Sequence, residues 1–174
     1  FVLIPEVDFP LEGDGGLLDR LHERLQRRAH AVIVVAEGAG QRYCQSEGVD
    51  KSGNRLLGDI GPLLKQHIVT DPKLAELAPG VKYIDPSYVI RSLPANAYDS
   101  ALCFQLAANA VHAAMSGRTG LIVGRFRGRS VHIPIDLAVS RRKQVDPGGE
   151  LWRSVLESTG QPNWPAATLH FAKP

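Results

Sequence analysis

Short, dense apolar runs alternate along the chain with longer stretches in which apolar residues recur every three or four positions, a contrast that predicts strands and helices in turn. Phe1-Val-Leu-Ile is a continuous apolar run stopped by Pro5, the pattern of a strand buried on both faces. Beyond the turn-rich Gly13-Asp-Gly-Gly, the residues Leu17, Leu18, Leu21 and Leu25 stand at helical spacing among Asp19, Arg20, Glu23, Arg24, Arg27 and Arg28, which predicts an amphipathic helix. His30-Ala-Val-Ile-Val-Val-Ala is β-branched and breaks at Glu37-Gly-Ala-Gly. Strand, helix and strand thus follow one another as in a crossover unit, and the sheet is expected to be parallel.

Further along, residues 47–55 read as a Gly- and charge-rich loop, residues 56–69 as a helix that Gly61-Pro62 restarts, and residues 81–84 as a short strand. Asn96 or Asp99 opens an Ala-rich helix that runs to Met115 and closes at Gly117. Leu121-Ile-Val, a turn around Arg127-Gly128 and residues 130–135 predict a hairpin, and residues 151–158 predict a last helix. The fold class is α/β, without internal repeats.

Composition acts mainly by exclusion. The 174 residues suit one globular domain or part of a larger one, and 20 Lys plus Arg against 18 Asp plus Glu leave a formal charge of +2, too little to argue for nucleic-acid or membrane binding. No apolar stretch approaches the roughly 20 residues that cross a bilayer. Phe1 starts inside an apolar run with no signal-peptide pattern, so the chain is expected to be cut from something longer. Cys44 and Cys103 form no CxxC pair, which favours a reducing, cytoplasmic setting.

Several segments carry candidate chemistry. Glu6 directly follows the first strand, at the carboxyl end where open α/β sheets bind ligands, and its carboxylate can accept bonds from sugar hydroxyls; a loop acid is the plainer alternative. Glu37-Gly-Ala-Gly-Gln41 also ends a strand, but Tyr43 takes the place of a third glycine, so it is no dinucleotide fingerprint and a plain turn accounts for it. Lys82, Tyr88 and Arg91 lie around Pro86 in a stretch read as irregular, where an ammonium, a phenol and a forked guanidinium make a phosphate clamp. Surface ion pairing is the competing account. Six histidines show no metal-ligand spacing, no GxSxG elbow occurs, and neither cysteine has a nucleophile's context, so no catalytic or metal-ligating residue is assigned. Arg118, Arg125, Arg127, Arg129, Arg141, Arg142 and Lys143 form one basic concentration beside Asp136, read as a solvated hairpin face.

Taken in order, Ile4-Pro-Glu-Val7, Ala31-Val-Ile-Val-Val-Ala-Glu-Gly-Ala-Gly-Gln41, Gly58-Asp-Ile-Gly61, Tyr83-Ile-Asp-Pro-Ser-Tyr-Val-Ile-Arg91, Pro94-Ala-Asn-Ala-Tyr-Asp-Ser100 and Ala110-Val-His-Ala-Ala-Met-Ser-Gly117 closely resemble the phosphofructokinase family. The nearest branch is the one shared by plant and trypanosomal ATP-dependent enzymes, and the likeness is to the carboxyl-terminal half, running to about Arg129 and thinning towards Pro174. The resemblance implies a Rossmann-like three-layer sandwich with a mainly parallel sheet, followed by a hairpin and helix, in a piece of a two-domain enzyme. Residues 1–174 would be the substrate-binding portion, with the nucleotide-binding half absent. It implies that Glu6 recognises the sugar of fructose 6-phosphate, that Tyr88 and Arg91 hold its phosphate while Val89 and Ile90 shape the backbone, and that Lys82 reaches a neighbouring subunit's substrate. It further implies phosphorylation to fructose 1,6-bisphosphate in glycolysis by an allosteric homo-oligomer, with Mg accompanying the donor and bound mainly by the absent half. ATP is the expected donor and pyrophosphate the alternative. The chain alone is expected to be inactive, and a catalytically silent, phosphate-sensing regulatory domain using the same pocket is the second reading. No membrane partner is expected, and nucleic acid is disfavoured.

Overall fold

In a computed structural model, the chain is described for residues 1–44, 48–49, 56–77 and 80–167, without the side chain of Tyr88. Its elements, in order, are β1 (Val2–Leu3), α1 (Leu17–Arg27), β2 (Val34–Val35), a 3-10 turn (Gln41–Tyr43), α2 (Ile60–Thr70), α3 (Pro72–Ala75), α4 (Ser87–Ser92), α5 (Ala97–Met115), β3 (Leu121–Phe126), β4 (Arg129–Pro134), α6 (Ile135–Val139) and α7 (Glu150–Thr159). The fold is mixed α/β with a parallel pair early and an antiparallel hairpin and helix later, as expected. Most of the loop expected over residues 47–55 lies outside the described residues. Two compact units result, one from Phe1–Ile84 with Gln144–Pro174, the other from Asp85–Lys143.

In the first unit β1 and β2 pair in parallel, Val2 beside Val34 and Leu3 beside Val35. The other edge of β1 meets a side chain instead of a strand: the Val2 amide donates to Gln161 Oε1 at 2.7 Å and Gln161 Nε2 donates back to the Val2 carbonyl at 3.0 Å. Gln161 is buried, and its amide satisfies the edge as a neighbouring peptide would. Its position follows from the end of α7, where Gly160 takes the left-handed conformation that ends a helix.

The inner faces of several helices and the parallel pair build the core. Leu17, Leu18 and Leu21 of α1 bury against Leu3, Phe9, Leu11, Ile60, Leu64, Ile68 and Leu74, and Trp152 and Trp164 close it from the late part of the chain. Along the run that contains β2 the side chains alternate in burial. Ala31, Ile33 and Val35 pack towards the core, whereas Val32 and Val34 are 69% and 59% exposed. Successive side chains of a strand point to opposite sides, and on β2 only one side meets the core, whereas on β1 both Val2 and Leu3 pack into it.

Residues 80–84 contain no strand; their backbone is irregular. The helix placed at 56–69 starts later, at Ile60, because Asp59 accepts a hydrogen bond from the Gly61 amide at 3.2 Å and caps it. Pro62 then falls in the first turn, where a missing amide costs nothing.

The second unit is built from local signals. Asn96 caps α5 through the Asp99 amide at 2.8 Å, and β3 and β4 pair antiparallel with Phe126 opposite Arg129. Arg127 and Gly128 both have positive φ, +48° and +79°, the conformation of a two-residue hairpin turn whose twist matches the strands.

Candidate functional site

Glu6 sits where the first strand ends, between two stretches of the late chain. Its Oε1 accepts from the Val145 amide at 3.1 Å, and its own carbonyl accepts from the Ala167 amide at 2.8 Å. The neighbouring Asp8 amide donates to the Pro165 carbonyl at 2.9 Å, so the turn carrying Glu6 is fixed from both sides. An ionised carboxylate has about four acceptor positions, and one bond to Val145 leaves capacity for hydroxyl donors.

Beside it lies the glycine-rich turn after β2, whose glycines serve packing. Gly40 has φ +60°, and a Cβ there would lie 2.9 Å from the Phe9 ring and 3.0 Å from Ile60 Cδ1. No L side chain fits that conformation in that space. Gln41 then ties two sequence motifs together. Its Nε2 donates to the carbonyls of Glu37 (2.9 Å) and Gly58 (3.0 Å), and its Oε1 accepts from the Gly58 amide at 2.9 Å. Tyr43 seals the other side: its hydroxyl donates to the Phe9 carbonyl at 3.0 Å and accepts from the Leu11 amide at 2.9 Å. Arg42 bonds Asp8 and the Phe9 carbonyl and lies over the Tyr43 ring.

Gly61 shows why Gly58-Asp-Ile-Gly61 and Tyr83 occur together. A Cβ on Gly61 would meet the Tyr83 ring at 2.2 Å, so only glycine lets that ring lie on the start of α2, where its hydroxyl reaches Asp59 Oδ1 at 3.5 Å. That contact anchors the irregular segment bearing Lys82, which is exposed. Lys82 borders a cavity of about 420 Å³ lined chiefly by Leu21, Leu25, Ile33, Leu64 and Ile68, and Glu6 does not line it. The aliphatic lining suits packing better than a sugar phosphate.

Tyr88, Val89, Ile90 and Arg91 lie together on α4, in the second unit, and this corrects the irregular backbone expected there. Pro86 interrupts what precedes it but is compatible with a helix start, and the Asp85 carboxylate accepts from the Ser87 amide at 3.0 Å, supplying the bond a new helix needs. That bond, and more weakly the charge of Arg91, holds the Asp85 carboxyl below the usual carboxylate range. Positions 88 and 91, three apart, fall on one face of the helix. Arg91 is exposed, as are Val89 and Ile90.

The remaining chemistry is structural. The Cys44 thiol is pushed up by burial and, secondarily, by the charge of Asp59, which disfavours a thiolate nucleophile. Among the described residues no group of three or more His, Cys, Asp or Glu side chains is placed to hold a metal ion. No described helix is long and apolar enough to cross a membrane. In the basic stretch, Arg118 Nη1 lies 3.1 Å from His132 Nδ1, and Arg127 lies over the Phe126 ring.

Gln41, Tyr43 and Gly61 went unassigned by sequence reasoning, although all three stand in or beside the motifs that carry the resemblance. Their partners lie 17 to 34 residues away, and short-range patterning carries no trace of such pairs.

No family model matches the chain. Individual proteins do. It is 54% identical over 169 residues to an ATP-dependent 6-phosphofructokinase of Amycolatopsis methanolica, a match covering 92% of this chain and 37% of that protein. An ATP-dependent 6-phosphofructokinase of Borreliella burgdorferi is 49% identical over 93% of the chain and 38% of its own length. One from Trypanoplasma borreli is 43% identical over 88% of the chain and 32% of its own length. The chain spans little more than a third of the curated relatives it matches. With identity this high along nearly its whole length, the chain belongs to the phosphofructokinase family and corresponds to a part of its ATP-dependent 6-phosphofructokinases.

Proposed function

We propose that this chain is the sugar-phosphate-recognising portion of an enzyme that transfers the terminal phosphoryl group of ATP to the 1-hydroxyl of fructose 6-phosphate. The observation that carries this reading is the 41–54% identity to ATP-dependent 6-phosphofructokinases, which extends over 88–93% of the chain. Glu6 accepts bonds from sugar hydroxyls, held in place by the Val145 amide and the backbone at Ala167. Arg91 holds the 6-phosphate through its two-pronged guanidinium, with Tyr88 on the same helix face adding a hydroxyl. Val89 and Ile90 set the helix that spaces them. Lys82, exposed on an anchored but irregular segment, adds a point charge toward the substrate of a neighbouring subunit in a homo-oligomer.

Phosphoryl transfer also requires a positioned nucleophile and neutralisation of the donor's charge. Both belong, in this reading, to polypeptide outside this chain, as does most of the magnesium coordination that accompanies ATP. The whole works as a glycolytic enzyme of the cytoplasm.

The test is Arg91→Ala in a complete enzyme containing this sequence. Loss of one charged hydrogen-bonding group is expected to weaken fructose 6-phosphate binding by about 1.5–3 kcal/mol, read by calorimetric titration with free fructose and inorganic phosphate as controls. Unchanged affinity in the variant rejects the assignment of Arg91.

A further inference from the structure

The turn that follows β2 lies beside the carboxyl end of β1, where Glu6 stands. The Ala36 amide donates to the Leu3 carbonyl at 2.9 Å, and a Cβ on Gly38 would lie 3.0 Å from Pro5 Cγ, so the turn rests on the residue before Glu6. Gln41 fastens this turn to a second piece of backbone. Its Nε2 donates to the carbonyls of Glu37 and Gly58, and its Oε1 accepts from the Gly58 amide. The carboxamide has one workable orientation: turned over, it would set Nε2 against a donor and Oε1 against two acceptors. At the same corner a Cβ on Gly58 would stand 2.5 Å from Cys44 Cβ, so the two segments are in close contact there.

Gly58 leads into α2, which is anchored: Asp59 caps it, and Ile60, Leu64 and Ile68 are buried in the core. Gln41 is only half-buried and is not among the core residues. A side chain so placed, satisfying three backbone groups on two separate segments, contributes order more than apolar burial. We propose that Gln41 is a positioning residue for fructose 6-phosphate: it holds the turn against Pro5 to the start of α2, and so keeps the Glu6 carboxylate where sugar hydroxyls meet it. This rests on the assignment of Glu6 to the sugar. The late chain steadies Glu6 through Val145 and Ala167, and Gln41 adds support from the turn after β2.

The test uses a complete enzyme containing this sequence, with Gln41→Leu, which keeps a side chain of similar size without its hydrogen bonds, with Glu6→Gln, and with both together. Steady-state kinetics against fructose 6-phosphate and against ATP are measured beside the melting temperature. In Gln41→Leu the KM for fructose 6-phosphate should rise about five- to tenfold, as the loss of a few hydrogen bonds of modest net worth implies. Both kcat and the KM for ATP should change by less than about twofold, the pattern of lost substrate binding. Because Gln41 acts through Glu6, Glu6→Gln should have less than about half of its ordinary effect in the Gln41→Leu background. An unchanged KM for fructose 6-phosphate in Gln41→Leu overturns the proposal. Additive effects overturn it as well, since Gln41 then acts apart from Glu6, and so does a lower melting temperature with kcat and both affinities falling together, the mark of general loosening. If Gln41→Leu does not fold, Gln41→Glu replaces it: at neutral pH it keeps an acceptor for the Gly58 amide, loses both donations, and is held to the same outcomes. A Glu6→Gln enzyme with unaltered KM removes the assignment of Glu6 to the sugar and this proposal with it. An altered KM there, with none in Gln41→Leu, removes the proposal alone.

Discussion

The two units of this chain solve the burial problem differently. In the first, Leu3, Phe9, Leu17, Leu74 and Trp152 are almost wholly shielded, drawn from both ends of the sequence. In the second, Ala113 alone among the described residues is a buried hydrophobic, while large side chains such as Phe104, Met115 and Leu137 stand exposed. Local signals are stronger in the second unit: a capped 19-residue helix and a hairpin with matched register. The comparison separates two properties that are easily conflated. Strong local propensity makes an element form, but burial decides whether a unit stands by itself.

The largest expected effect breaks the first unit. Phe9→Ala should destabilise the full chain by about 3–5 kcal/mol, because it empties the space between Gly40, Tyr43 and Trp164. Urea denaturation followed by tryptophan fluorescence measures it. Leu106→Ala on α5 should cost far less, since Leu106 is only half-buried; equal losses at the two positions would contradict the contrast between the units.

A smaller effect belongs to the second unit, where caps matter more than core. Asn96→Ala removes the bond to the Asp99 amide and should lower stability by about 1 kcal/mol, as loss of a helix cap typically does. Amide exchange in the first turn of α5 should rise while that in α1 stays unchanged. Acceleration in both helices would show that the units unfold as one.

The smallest effect is electrostatic and sharpens the comparison at the start of α4. The Asp85 carboxyl titrates below its unfolded value, so its contribution is fully present above the unfolded pKa of about 4. It is lost as the pH falls through the lowered folded value. Acidification should therefore loosen α4 through loss of the Ser87 bond, and Asp85→Asn should flatten that pH dependence. Proton-exchange or NMR titration of residues 85–92 reads it directly, and an Asp85 titration at or above the ordinary carboxylate value would remove the effect.

Legibility in the sequence followed range. α1, α5, the hairpin and α7 were readable because their apolar spacing, caps and turn residues all lie within a few positions. Helix α4 was not, because Pro86 signals an interruption and the bond that starts the helix comes from the residue before it. The strand expected at residues 81–84 failed for another reason: Val81 and Tyr83 satisfy an alternating pattern, but Tyr83 is seated on Gly61 and not in a sheet.

For the candidate site, the sequence by itself determined which residue types are available: a carboxylate at a strand end, a phenol and guanidinium three positions apart, and an ammonium nearby. Motif order carried the family, and the comparisons bear it out. Only the tertiary structure decided that the Glu6 turn is fixed by Val145 and Ala167, that Gln41 joins two motifs, that β2 buries one face only, and that α5 carries an uncovered apolar row. The physical reason is that helix caps and turns are settled by neighbours in sequence, whereas burial is settled by whatever else arrives in space.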